Sequence, residues 1–170
     1  MHIPSQAPVP DTSLLGAYDR RCAYTDCYST SVPIPVTLPQ FIEAFYTTSL
    51  FKFERWLLAK VRGIPSSDEQ VSLLAKSNSM EFLVWQVETR STSEILLAAW
   101  QTRSWLCVSP QAGTTSYTIL YFGSAIISTR PDGKFGLGFH MFGYIHRLYS
   151  KLLLSAAAKK IVSNLSQHAD

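Results

Sequence analysis

The sequence predicts a single α+β domain: a first strand, two or three short helices, a run of antiparallel strands and a long C-terminal helix. Three observations predict it. Helical apolar spacing with capping signals is confined to residues 37–78. From Met80 to Thr129 the chain breaks into runs rich in β-branched and aromatic residues, joined by connections too short for crossovers. From Phe135 to Val162 the helical spacing returns. Helices and strands segregated in this way belong to α+β rather than to alternating α/β folds.

Taken in order, Cys22–Val32 ("CAYTDCYSTSV") reads as the first strand, ended by the prolines of "PIP". "TLPQFIEAFYTT" starts with Thr37 three residues before Gln40, a capping-box pattern, with Pro39 tolerated in the first turn. Ser49 is the expected cap of a second helix, "LFKFERWLLAKVRG", which Gly63 stops. Ser66 with Glu69 repeats the capping signature for a third, shorter helix. The strand runs are Met80–Ser91, Glu94–Thr102, Arg103–Gln111 and Thr115–Thr129. Gly123 interrupts the last of them and is expected to mark a bulge or bend. "RPDGK", Arg130–Lys134, is a turn in which proline sets φ and glycine permits the left-handed region.

In the final stretch, His140, Tyr144, Arg147 and Lys151 fall on one narrow helical stripe. Phe142, Ile145, Leu148, Tyr149, Leu152, Leu153 and Ala156 cover the broad opposite side, the expected buried face. Arg147 and Lys151 near its centre argue against a membrane span, while an in-plane amphipathic helix stays open. His140 and His146 lie about 240° apart around the helix, so they cannot share a metal.

Composition bounds the rest. The chain has 170 residues, enough for one domain with its own core. Hydrophobic residues make up 46% and charged ones 16%, with four Trp, eight Tyr and nine Phe, which argues against disorder and for a large apolar interior or cavity. A net charge of +3, with Asp19-Arg20-Arg21 as the densest charged cluster, excludes nucleic acid as an expected partner. Three cysteines, Cys22, Cys27 and Cys107, without a CxxC, make no disulfide framework or zinc site and suit a reducing compartment. The first residues lack the basic-then-apolar order of a signal peptide, so a cytoplasmic location is expected. Residues 1–20 are expected to form an extended arm, 21–165 the domain and 166–170 a tail.

The order of elements resembles the helix-grip fold of the START and Bet v 1-like superfamily over roughly residues 20–165. The chain is also similar to uncharacterised bacterial proteins with stretches like "YTDCY", "EAFYTT" and "YFGSA". The resemblance implies a curved antiparallel sheet gripping the C-terminal helix. It also implies short helices closing one end and a largely apolar cavity between sheet and helix. That family commonly has more strands between its helices than the runs counted here.

With that cavity, the expected ligand-contacting residues are Trp85, Trp100, Arg103, Trp105, Tyr121, His140 and Tyr144. For the aromatics, plain core packing is the competing reading; for His140 and Tyr144 it is a solvent-facing stripe. Arg103 would pair an acidic ligand group or Glu88 if it points inward. No G-x-S-x-G, P-loop, G-x-G-x-x-G or H-E-x-x-H is present, so no catalytic residue is assigned, and no cofactor or metal is expected. The expected function is binding of a small hydrophobic or amphipathic molecule. Two alternatives stay open: an enzyme using cavity acid–base residues, such as Glu88 with His140, and an interaction or peripheral membrane protein using an exposed aromatic face.

Overall fold

The computed structural model describes residues 3–19, 24–110, 117–127 and 137–166, with the backbone alone at 62, 137–143, 165 and 166. Along the chain run β1 (Ser5–Gln6), α1 (Gly16–Asp19), β2 (Tyr24–Val32), α2 (Leu38–Tyr46), α3 (Ser49–Arg62) and α4 (Asp68–Ala75). Then follow β3 (Glu81–Phe82), β4 (Trp85–Arg90), β5 (Glu94–Ala99), β6 (Thr102–Pro110), β7 (Thr118–Ile126) and α5 (Leu137–Ser166). The seven strands form one antiparallel sheet in the order β1-β2-β7-β6-β5-β4-β3. The α+β class is as expected, and an antiparallel sheet with a long C-terminal helix is compatible with a helix-grip-like fold. The expected "RPDGK" turn lies outside the described residues.

Local chemistry explains most boundaries. Thr37 accepts from the Gln40 amide while the Gln40 side chain returns to the Thr37 amide, closing the capping box of α2. α3 is capped by Thr48 rather than Ser49, and Gly63 ends it in the left-handed region at φ 67°. α4 is capped by Ser67 with Gln70, one residue beyond the expected Ser66 and Glu69. In "SSDEQ" both registers offer a hydroxyl and a long polar side chain three residues on, so the signature itself is degenerate.

The run Met80–Ser91 holds two strands, not one. The chain reverses at Leu83, whose φ is 57°, and Phe82 pairs with Trp85 across that turn. With β1 added at the other edge, the sheet reaches seven strands, more than the sequence runs suggested. Gly123 causes no bulge: it stays in register with Cys27 on β2 and with Trp105 on β6. The observed irregularity is in β4, between Val87 and Thr89. Glycine stands at 123 for space. A Cβ there would lie 2.5 Å from a Leu15 methyl, 2.9 Å from the Asp26 carbonyl oxygen and 3.1 Å from the Trp105 ring.

The sheet is buried on both faces. Concave-facing Tyr28, Val32, Leu97, Leu106, Leu120 and Phe122 pack with Phe41, Phe45 and Tyr46 of α2 and Leu153, Leu154 and Ala157 of α5. Convex-facing Cys27, Leu96, Trp105, Cys107 and Ala125 pack with Leu15 and Tyr18 of the N-terminal segment. Within the segment expected as an extended arm, residues 7–18 therefore form a packed layer. Leu15 is fully buried, the Leu14 amide donates to Glu94 Oε2 at 2.9 Å, and the same oxygen accepts from Trp105 Nε1 at 2.7 Å.

Removing side-chain volume from that layer should be as costly as a core deletion. Leu15→Ala is expected to lower unfolding free energy by about 2–5 kcal/mol, measured by urea denaturation. It should also expose residues 7–18 to limited proteolysis. An unchanged midpoint would mean the segment is not part of the folded core.

Candidate functional site

Between the concave face, α3 and α5 lies a partly enclosed cavity of about 300 Å³. Its apolar wall is made by Phe45, Phe51, Trp85, Phe122, Ile126 and Leu153. Polar groups reach it from Tyr46, Glu54, Ser104, Ser124, His146 and Tyr149. Strand alternation accounts for the sheet's contribution. Ser124 pairs across to Asp26 and to Ser104, so these three side chains share one face, two residues from Phe122.

The first polar group is Asp26–Ser124–His146. Ser124 Oγ lies 2.5 Å from Asp26 Oδ1, and the Ser124 amide donates to the same oxygen at 3.2 Å. His146 Nε2 lies 2.9 Å from Ser124 Oγ and 3.4 Å from Asp26 Oδ2. Ser124 gives its proton to the carboxylate, so its oxygen accepts from the imidazole, and Asp26 Oδ2 can only accept. Both neighbours therefore require a hydrogen on Nε2. This is not a hydrolase triad, because the serine proton goes to the carboxylate rather than to the imidazole, and one imidazole nitrogen meets both the serine and the carboxylate. Burial works to raise the Asp26 carboxyl, but the bonds from His146 and Ser124 outweigh it and leave it below the usual range.

The second group joins two helices. The Tyr149 hydroxyl on α5 donates to Glu54 Oε2 on α3. Burial raises the Glu54 carboxyl above its ordinary value, against smaller opposing effects of Tyr149 and His146. The third feature is Tyr46. It is 1% exposed, lines the cavity, and its hydroxyl has no hydrogen-bond partner of acceptable geometry. Burial pushes its pKa well above the ordinary phenol, with a smaller opposing pull from Ser104.

The structure places the expected site residues unevenly. Trp85 lines the cavity. Arg103 borders it, but its guanidinium pairs Glu88, lies 3.0 Å from the Tyr18 hydroxyl and donates to the Trp100 and Thr102 carbonyls on the convex side. Trp105 and Tyr121 are in ring contact on that same convex face, a correction set by strand parity. Trp100 occupies the β5–β6 turn at φ 49°, which throws it into solvent at 68% exposure. Tyr144 is exposed, as is Arg147, while Lys151 lies 5.7 Å above the Tyr28 ring. Tyr144 and Arg147 therefore point away from the cavity. The His140 side chain lies outside the described residues.

The histidine that reaches the cavity is His146, and sequence reasoning missed it together with Asp26, Tyr46, Glu54, Ser124 and Tyr149. A signal existed in β2, where a carboxylate interrupts a run of Tyr, Thr and Val and shares parity with Tyr28 and Val32. The remaining thiols are not candidates for chemistry. Burial pushes Cys27 and Cys107 up to about 12, with Asp26 and Glu94 respectively adding to it, and Cys22 lies outside the described residues. Among the described residues no three His, Cys, Asp or Glu side chains come together as a metal would need. No described helix is long and apolar enough to cross a membrane.

Neither a family model nor a curated protein matches the chain. A solved structure that is similar is the conserved protein of unknown function EF2215 from Enterococcus faecalis. It shares 9% identity at a TM-score of 0.32, covering 91% of this chain and 98% of that one. A likeness at that level carries no argument about fold or function.

The two carboxyls should respond to pH in opposite directions. Asp26, held low, adds stability that is full above about pH 4 and lost as pH falls through its lowered pKa. Asp26→Asn should cost about 1–3 kcal/mol at pH 7 and flatten the acid side of the stability curve. Glu54, held high, adds stability at low pH that is lost as pH rises through its raised pKa. Glu54→Gln should therefore gain on wild type between pH 4 and pH 7. Urea midpoints across that range check both; a parallel shift of either variant at every pH contradicts the assignment.

Proposed function

We propose that this protein binds a small hydrophobic or amphipathic molecule in the cavity between sheet and α5, burying an apolar body and anchoring one polar group. The observation that carries the reading is Tyr46: a buried hydroxyl without a partner, on the wall of an apolar cavity. A buried unsatisfied hydroxyl is costly, and a ligand that bonds to it removes the cost. The volume of about 300 Å³ is at the small end for ligand sites and suits one or two rings rather than a long acyl chain. Kinship with the START and Bet v 1-like superfamily belongs to this proposal and is supported by the sheet order and the gripped helix. So does a reducing, cytoplasmic setting, supported by the unpaired Cys27 and Cys107.

The electrostatics favour a neutral or cationic polar head. Asp26 and Glu54 are the carboxyls at the polar end, and the Arg103 guanidinium beside the cavity is committed to Glu88. An anionic head would meet the Glu54 carboxyl on the lining, with Asp26 behind Ser124 and His146, and no free guanidinium or ammonium among the described lining residues.

A second reading is favoured by the same groups. A histidine oriented by Asp26, facing a carboxyl with a raised pKa, is a pair able to move protons on a bound substrate. Turnover lost in both His146→Asn and Glu54→Gln, with binding retained, would select it over simple binding.

Three matched probes test the binding reading: 2-naphthylmethanol, 2-naphthylmethylamine and 2-naphthoate, followed by calorimetry. The alcohol and amine are expected to bind, with the carboxylate weaker by roughly tenfold or more. Tyr46→Phe should weaken the alcohol by about five- to tenfold while leaving the empty protein at least as stable. No binding by any probe, together with no co-purified ligand by native mass spectrometry, would overturn the reading.

A further inference from the structure

Of the broad apolar side of α5 expected to be buried, Leu153 is buried and Tyr149 reaches the cavity, but Ile145, Leu148 and Leu152 are exposed. The residues that α5 turns inward are His146, Ser150, Leu153, Leu154, Ala157 and Ile161. Tyr144, Ile145, Leu148 and Leu152 remain outside. On α3, Phe53, Trp56, Leu57 and Val61 are also outside, and the Phe53 and Trp56 rings stack at 5.8 Å. These eight side chains are each 47 to 75% exposed. They lie on neighbouring helices, which the Tyr149–Glu54 bond joins. A patch of this kind on a folded domain marks a contact surface.

Charge says what covers it. α3 carries Lys52, Arg55, Lys60 and Arg62, and α5 carries Arg147, Lys151, Lys159 and Lys160. Against these, the two helices hold one carboxylate residue, Glu54, which is tied to Tyr149. Some of the cations have partners: Lys52 and Arg55 contact Asp68, and Lys160 contacts Thr47. Lys60 and Lys159 are exposed and lie on the apolar stripes themselves. Lys60 follows Trp56 by four residues and Lys159 follows Leu152 by seven, so each continues its helix's outer face.

A second copy of the chain fits this surface poorly. A two-fold contact would set lysine against lysine with no free carboxylate on either helix to separate them. Aromatic and aliphatic side chains with lysines able to extend past them suit a bilayer interface carrying negative headgroups. We propose that the outer face of α3 and α5 docks on the surface of an anionic lipid membrane. Docking in this orientation brings the helices that supply Glu54, His146 and Tyr149 to the bilayer, where apolar molecules are concentrated. The docking itself does not depend on the cavity being filled.

Vesicle sedimentation of the full chain tests it. The protein is expected to partition onto phosphatidylcholine vesicles containing phosphatidylglycerol, weakly onto phosphatidylcholine alone, and less as salt rises. Trp56→Glu and Ile145→Glu should each lower partitioning by roughly tenfold or more, and Lys60→Ala by about fivefold. Ile3→Glu, at an 88% exposed position on the N-terminal segment, should leave it unchanged. Circular dichroism checks that each variant is folded. The proposal is overturned by absent or headgroup-independent binding, or by glutamate variants that bind like wild type. It is also overturned by a solution dimer that Trp56→Glu converts to monomer, which would assign the face to a second copy.

Discussion

The register of β2, β7 and β6 is the constraint on which the rest depends. It sets Cys27, Gly123 and Trp105 in one row across the sheet, and Asp26, Ser124 and Ser104 in the next. Side chains alternate between faces, so the first row meets the N-terminal layer and the second opens into the cavity. A slip of one residue would exchange the rows. It would push a buried carboxylate against Leu15 and an indole into the cavity. The absence of a side chain at Gly123 lets Leu15 and Trp105 close over the sheet there, so the arm and the polar site are set by the same pairing.

The site combines cost and use. Asp26 is nearly inaccessible, yet its bonds to Ser124 and its contact with His146 offset its burial. Glu54 and Tyr46 lack that full compensation: one is a carboxyl raised by burial, the other a hydroxyl without a partner. Imperfectly satisfied groups gathered at one end of an apolar cavity are what a binding or proton-transfer site retains at the expense of stability. Satisfied groups are instead found on the convex face, where Glu94 holds both Trp105 and the backbone of the arm.

Legibility differed sharply between levels. The helices of residues 37–78 could be read because capping and apolar spacing are local, and the misplacements at Thr48 and Ser67 amount to one residue each. The turn at Leu83 was hidden, since no glycine or asparagine marks its positive φ. Trp105 and Tyr121 were assigned to the cavity because aromatics seek burial, but the sheet buries both faces, so burial alone does not separate them. On α5 the broad apolar side invited the inference that it is the inner one. The inner side instead combines His146 and Tyr149 with Leu153, Leu154 and Ile161 and the small Ser150, Ala157 and Ala158, while Tyr144, Ile145, Leu148 and Leu152 stay out.

By itself, the sequence determined the α+β class and the order and approximate ends of the main helices and strand runs, because each rests on contacts within a few residues, but not β1, α1 or the split of Met80–Ser91 into two strands. It also determined which residues share a strand face, since alternation needs no tertiary information. Only the tertiary structure decided which of the two faces is concave, that residues 7–18 form a packed layer, and that Glu54, His146 and Tyr46 converge. Those outcomes depend on what covers each face, and for a sheet covered on both sides and a helix apolar on most of its circumference, pattern alone leaves that choice degenerate.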